Sequence, residues 1–326
     1  MQVIKRFENI VEAIAYLEPG HILKDCLVKD GVAINHVRHD AVQMPDGRIA
    51  FICNTGNFTF YRGETRIYKS CKASLYRITR REDKICALAK TYEFMEFLKT
   101  LPEVQYYIDN NLWYEPWALA QHYEFATPMI DLTNEIAVAA FFATHEYDPV
   151  TKSYNIVKDG IGRIRGLNAM PFMHNALRPI GLQPFSRPSS QLGYGYWIPE
   201  TDDLAKHTFS VEFKQNYEVN YRLDVATGGQ ESKFFPNELL TRMASIIKNT
   251  GVVTNKAINA FASDVESGNS YITPAVTIDE IISVLKEAKI FIVDAPVICP
   301  EAIVAPPYPF RQERKLLTKP AYKGII

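Results

Sequence analysis

Three short stretches of this chain bring together side chains that can do chemistry. Phe60-Tyr61-Arg62-Gly63-Glu64 ends an aromatic, strand-like run on an arginine and a glycine. An arginine there can hold a phosphate or carboxylate through two parallel hydrogen bonds, and a glycine lets a ligand or a second backbone come close. The plainer reading is an arginine that fixes a local carbonyl or carboxylate. Ala118-Leu119-Ala120-Gln121-His122-Tyr123 leads through Glu124-Phe125-Ala126 to Thr127-Pro128-Met129-Ile130-Asp131-Leu132-Thr133. If the ends of the flanking elements meet across that short turn, Gln121, His122 and Asp131 form one polar cluster. A neutral His122 would orient a hydroxyl or act as acid or base, with Asp131 setting its tautomer. The plainer alternative makes His122 a satisfied core histidine and Asp131 a helix cap. In the third stretch, Arg187, Gln191 and Gly193 form Arg-x-x-x-Gln-x-Gly. Gln191 can donate and accept, which suits reading an amide or base edge, or simply bridging two backbone segments. Tyr194, Tyr196 and Trp197 beside it either stack on a planar ring or cover the core.

The elements that must position these groups follow from periodicity and breakers. Val3, Phe7, Ile10, Val11, Ile14 and Leu17 recur at helical spacing and stop at Pro19-Gly20, which predicts an N-terminal helix. Short β-prone runs separated by Lys29-Asp30-Gly31 and Pro45-Asp46-Gly47 predict hairpins from 21 to 53. Helices are expected over 82–98, around Trp113 to Ala120, from about 134 to 145, and over 237–248, 257–262 and 278–286. Thr133 or Asn134 is the expected cap of the 134–145 helix, with Glu135 in its first turn. Strands are expected over 129–132, within 148–166, and over 209–213 and 290–293. Residues 171–199, rich in Pro, Gly and Ser, read as a long irregular loop, and the basic, Pro-rich tail from Pro306 as extended. The fold class is α+β: a single mixed domain with a central, mainly antiparallel sheet packed by helices. Its divisions are an N-terminal extension (1–50), a main domain (51–265) and a C-terminal extension (266–326).

Composition narrows the function classes. Lys plus Arg (36) nearly balance Asp plus Glu (37), so no overall field draws in nucleic acid or an acidic membrane, and neither is an expected partner. Charge at Lys5-Arg6 interrupts any signal core, and no apolar run reaches the ~20 residues needed to span a bilayer. A cytoplasmic protein is expected. The five cysteines are widely spaced and read as reduced thiols. His36-x-x-His39-Asp40 has metal-ligand residue types, but strand spacing turns the two imidazoles to opposite faces, so no metal site is expected. There is no Walker element, dinucleotide fingerprint or nucleophile elbow.

The aromatic-Arg-Gly element, Ser74-Leu75-Tyr76-Arg77, the Ala-Gln-His-Tyr run with its Thr and Asp-Leu-Thr continuation, the apolar helix from Asn134, and Arg187-x-x-x-Gln191-x-Gly193 together resemble the signature of the FRG domain, a bacterial family named for its Phe-Arg-Gly element. The sequence departs from that pattern at Glu124-Phe125, where a glycine-containing pair is usual, at Pro128, where arginine is common, and at Leu132, where Trp is usual. Beyond that family, the order of the elements is similar to that of ADP-ribosyltransferases. This resemblance implies catalytic roles for Arg62, His122, Asp131 and Gln191, and NAD or a related nucleotide bound by Arg62, Gly63, Glu64, Gln121 and Arg187. Glu64 or another carboxylate would then replace the glutamate such transferases use. The setting implied is a bacterial stress or defence system. The competing reading is a recognition module that uses the same pocket for a nucleotide or peptide without turnover.

Overall fold

The computed structural model describes residues 2–19, 38–44, 46–54, 58–169, 176–236, 238–298 and 322–323. Seven strands form the central sheet: β1 (Gln2–Phe7), β2 (Thr59–Glu64), β3 (Met129–Thr133), β4 (Ile161–Asn168), β5 (Leu177–Pro179), β6 (Gly193–Trp197) and β7 (Phe209–Lys214). They lie in the order β1-β7-β4-β2-β3-β6-β5. Only the β1–β7 pair is parallel; the other five pairs are antiparallel. The helices that matter below are α1 (Ile10–Leu17), α2 (Ser74–Arg77), α3 (Arg81–Leu98), α4 (Pro116–His122), α5 (Ile136–Thr144) and α6 (Gln230–Phe234). The molecule is thus α+β with a mixed central sheet, and no helix among the described residues is long and apolar enough to cross a membrane.

Strand alternation sends β2 side chains to opposite layers. Tyr61 packs with α1 and α5, whereas Phe60 joins Ile130, Leu132 and Tyr194 on the other face. Helix α5 is apolar all round, which suits burial rather than a surface position. Its backbone lies directly on β2: a Cβ added at Gly63 would stand 2.0 Å from the Ala139 carbonyl oxygen. Gly63 therefore serves the approach of a second backbone. On the far side of the molecule α3 is the centre of a helical layer, packed by α4 and by the helices Leu239–Asn249, Asn255–Glu266 and Ile278–Glu287. It buries polar residues as well as apolar ones, because Lys90 Nζ donates to the Val252 carbonyl (2.9 Å) and Glu93 Oε2 accepts from the Thr254 amide (2.6 Å).

Several expectations need correction. Val3 to Phe7 is a strand, not the first turn of a helix. Asn9 caps α1 by accepting from the Glu12 amide at 3.0 Å, and the β-branched residues before it pair with β7 instead. The expected loop at 171–199 contributes β5 and β6, and Gly193-Tyr194-Gly195-Tyr196 alternates because each glycine makes room for a neighbour. Glu135, rather than Thr133 or Asn134, caps α5, its Oε1 accepting from the Ala137 amide at 3.1 Å. The helices Tyr217–Ala226 and α6 had no counterpart in the sequence reading. The expected hairpin strands at 22–28 and 32–37 and most of the tail lie outside the described residues.

Phe141 is 2% exposed and packs on His145, Tyr154 and Phe234 with ring centroids 4.4–5.3 Å apart. Phe141→Ala should cost about 3–5 kcal/mol. Chemical denaturation should show a lower midpoint, and wild-type-like unfolding would place α5 on the surface.

Candidate functional site

The site begins with a parted seam in the sheet. Strands β2 and β3 pair at a single position, Tyr61 opposite Thr133, and diverge beyond it. Arg62 spans the opening: its Nη1 donates to the Asp131 carbonyl at 3.0 Å, in place of a ladder bond. A cavity of about 180 Å³ lies there, lined by Arg62, His122, Asp131 and Gln191 together with apolar Leu132, Val138, Ala139 and Phe142.

Helix α4 delivers His122 at its C-terminus. The chain then turns through Glu124, whose φ of 66° is the left-handed conformation in which glycine is favoured. That explains why a glycine-containing pair suits this position. Arg187 Nη1 donates to the His122 carbonyl at 2.6 Å and so closes the helix end. Gly193 keeps space for the imidazole, since a Cβ there would lie 3.1 Å from His122 Nε2.

Gln121 is the clasp of the cluster. Its Nε2 donates to Asp131 Oδ2 at 3.2 Å, while its Oε1 accepts from Ser74 Oγ at 3.1 Å and from Thr127 Oγ1. Ser74 Oγ in turn accepts from the Thr127 amide at 3.0 Å. The expected contact of Asp131 with His122 is therefore corrected: Gln121 takes that carboxylate, and Asp131 acts on the ring only through its charge. Asp131 is not the cap of α5 either. Ser74 and Thr127 are essential to this clasp and were missed as polar groups, because Thr127 reads only as the helix stop before proline.

Three atoms around the cavity are buried without a hydrogen-bond partner: Arg62 Nε, His122 Nε2 and Asp131 Oδ1. Unpartnered buried atoms also occur away from the cavity, as at Tyr114 Oη and Ser210 Oγ, but these three belong to residues that share one space, where water or a ligand would complete the bonding. Burial pushes the His122 pKa below the ordinary 6.5; the Asp131 charge opposes this, Arg187 reinforces it, and a side-chain contact with Gln191 opposes it. The ring is neutral at neutral pH, able to accept or donate at Nε2 according to tautomer.

Other expected site residues lie elsewhere. Glu64 is bound by Arg165 Nε at 2.7 Å, within a buried array in which Arg163 also reaches Glu212 (2.8 Å) and Glu212 reaches the Arg6 side chain (2.6 Å). It does not line the cavity: Arg163 lies opposite it in the sheet register, and Arg165, two residues along the same strand, takes its carboxylate. Arg187 lies behind His122, its guanidinium 4.6 Å from the Phe235 ring centroid. Gln191 does reach the cavity, but its Nε2 is committed to the Phe234 carbonyl at 3.0 Å, which ties α6 to the site. Tyr194 packs on Phe60 (4.6 Å) and Trp197 on Trp117 and Tyr271 (both 5.7 Å), so these rings belong to the core. Cys71 and Cys86 are free thiols. No metal-binding cluster exists among the described residues; His36 and the side chains of His39 and Asp40 lie outside them.

Two measurements test this electrostatic picture. Glu64→Ala strands buried cations and should cost roughly 3–5 kcal/mol, whereas Arg62→Ala, which leaves the Asp131 carbonyl without its partner, should cost about 1–3 kcal/mol. Equal losses in denaturation would contradict the division between them. In an NMR titration His122 should stay mostly neutral at pH 6.5, the ordinary midpoint. Because its folded pKa is depressed, the unfolded chain takes up the proton first, so the stability His122 contributes is intact above 6.5 and falls as pH drops below it. Asp131→Asn should depress the His122 midpoint further; an upward shift would refute the charge coupling.

Residues 57–152 match the family model of the FRG domain. Neither the curated proteins nor the solved structures contain a match to the chain. The matched span takes in Arg62, Gly63, Glu64, Gln121, His122 and Asp131 and leaves Arg187 and Gln191 beyond its end. The strand, the clasp and the buried helix around the cavity all lie within the span that matches the FRG domain.

Proposed function

We propose that the chain binds a nucleotide by its ring-bearing end, in the cavity between α5 and the parted strands. The observation that carries this reading is the convergence of Arg62 Nε, His122 Nε2 and Asp131 Oδ1, all buried and unpartnered, on one space. They offer a cationic donor, a neutral imidazole and an anionic acceptor on one side, with Leu132, Val138 and Phe142 on the other. A flat heterocycle with both donor and acceptor groups satisfies that set, its faces against the apolar wall. Size limits the ligand: a cavity of about 150 Å³ holds a benzene-sized ring, and 180 Å³ holds one heterocycle, not a whole dinucleotide.

NAD fits this site only through its nicotinamide end, with the remainder of the molecule outside the cavity. Bound NAD would supply an ADP-ribosyl group by cleavage of its nicotinamide–ribose bond. Asp131 is then the carboxylate that faces the reacting end in place of Glu64, and Gln121 holds it in position. Neutral His122 would orient a ribose hydroxyl. Nucleotide or peptide recognition without turnover is the second reading, favoured because Glu64 and Gln191 are both committed to structural bonds.

Nucleotide-induced thermal shift and NAD consumption, measured on wild type and Asp131→Asn, separate the two. A ligand present at one hundred times its Kd should stabilise wild type by about 2.7 kcal/mol. The enzymatic reading expects NAD consumption that falls roughly 10²–10³-fold in the variant. A shift without consumption selects recognition. A panel of nucleotides and nicotinamide derivatives that leaves the wild-type melting temperature unmoved would overturn the proposal.

A further inference from the structure

The helix Tyr217–Ala226 carries apolar side chains on two opposite faces. Asn220 and Leu223 are buried, and Leu223 and Val219 pack into the core shared with α1 and α5. On the other face Tyr217, Tyr221 and Val225 are 49%, 51% and 58% exposed. Four residues advance a helix by about 40°, so these three form one stripe about 80° wide. The Tyr217 and Tyr221 rings stack along it, 6.2 Å between centroids and 13° between planes. Single exposed apolar residues are ordinary, but a solvated helix face is polar and a continuous stripe marks a contact surface. Two elements that pack against this helix, α1 and the hairpin of His145–Asp148 with Ser153–Ile156, also carry exposed apolar groups, Tyr16 on the first and Tyr147 and Val150 on the second. None of these residues lines the ring cavity.

We propose that this face pairs with the same face of a second copy of the chain, the two helices antiparallel about a two-fold axis at Tyr221. The stripe and its charged flank are self-complementary in that arrangement. Tyr217 of one copy meets Val225 of the other at the same level, and the two Tyr221 rings meet each other. Glu218 and Arg222, an exposed ion pair within the helix, lie along one flank of the stripe. The two-fold axis keeps that flank on the same side in both copies and reverses its direction. Glu218 of each copy then stands about 3 Å, measured along the helix, from Arg222 of the other. A parallel pairing would leave the charged flanks on opposite sides. An exposed pair within one helix contributes little, so its exchange for a network of four alternating charges costs little and fixes the register. Tyrosine suits such a surface, being enriched at protein interfaces. A 10-residue helix is about 15 Å long, so the interface is small and the dimer reversible, with a Kd in the micromolar range.

The test is sedimentation velocity of the whole chain from low to high micromolar concentration, on wild type, Tyr221→Asp, Glu218→Arg and Arg222→Glu. Circular dichroism should show the native fold in each, since all three positions are exposed. Wild type should pass from monomer to dimer, and Tyr221→Asp should weaken that dimer at least about tenfold. Glu218→Arg and Arg222→Glu each bring like charges together at both ends of the interface and should each weaken it alone. Mixed one to one, the two variants should form a heterodimer at least as tight as the wild-type dimer, because every cation then faces an anion. If Tyr221→Asp fails to fold, the mixing experiment decides alone. A chain that stays monomeric throughout, a dimer that Tyr221→Asp leaves unchanged, or a mixture that gains nothing over the separate charge variants would overturn the proposal. A monomer that co-sediments with phosphatidylcholine or phosphatidylserine vesicles, and loses them in Tyr221→Asp, would assign the stripe to a lipid surface and overturn it as well.

Discussion

The parted seam between β2 and β3 is the constraint on which the rest of this site depends. An antiparallel pair normally satisfies its backbone groups by continuing the ladder, and a strand that leaves it early must find other partners. Here the Asp131 carbonyl is satisfied by the Arg62 side chain, and the space freed by divergence is the cavity. One arginine therefore holds the backbone through its Nη1 while lining the cavity, its Nε buried without a hydrogen-bond partner. Close packing keeps the seam from shutting, since the α5 backbone rests on Gly63 and leaves no room for β2 to shift toward it.

The same sheet uses arginine in a second way. Arg163 and Arg165 are 1% and 0% exposed, and both pair with glutamates that face them across neighbouring strands. Burying such charges is tolerable only when each is paired, and removal of one partner strands the other. Arg62 sits opposite Arg165 in the register, at the end of this array, and makes no ion pair among the described residues, Glu64 and Asp131 acting on it only through their charge. The contrast separates the paired arginines from Arg62, where burial alone would class them together.

How far the sequence discloses this depends on the range of the interaction. The buried α5 was legible because its alanines and phenylalanines leave no polar face, and the approach of Gln121 to Asp131 was legible because only a short turn separates their elements. The fate of Glu64 was not, because its partner Arg165 lies 101 positions away, and an Arg-x-Arg alternation on a strand looks like a solvent face. Strand β6 was hidden by composition: Gly193 and Gly195 read as loop residues, yet each is small because His122 or Met129 occupies the space of its missing side chain. The first strand was hidden by period, since Val3 and Phe7 continue a helical spacing that Asn9 interrupts with its cap.

The clasp holds together polar groups of the site that come from separate segments. Gln121 alone connects α2, the Thr127 turn and β3, with two acceptor bonds on one end of its amide and a donor bond on the other. A glutamate in its place could accept from Ser74 and Thr127 but would repel Asp131, and a leucine would leave Asp131, Ser74 and Thr127 short of partners. An amide is the side chain that satisfies hydroxyl donors and a carboxylate acceptor together. The orientation of Asp131 toward the cavity thus depends on a residue that does not line it, and its free oxygen remains available because the other is held.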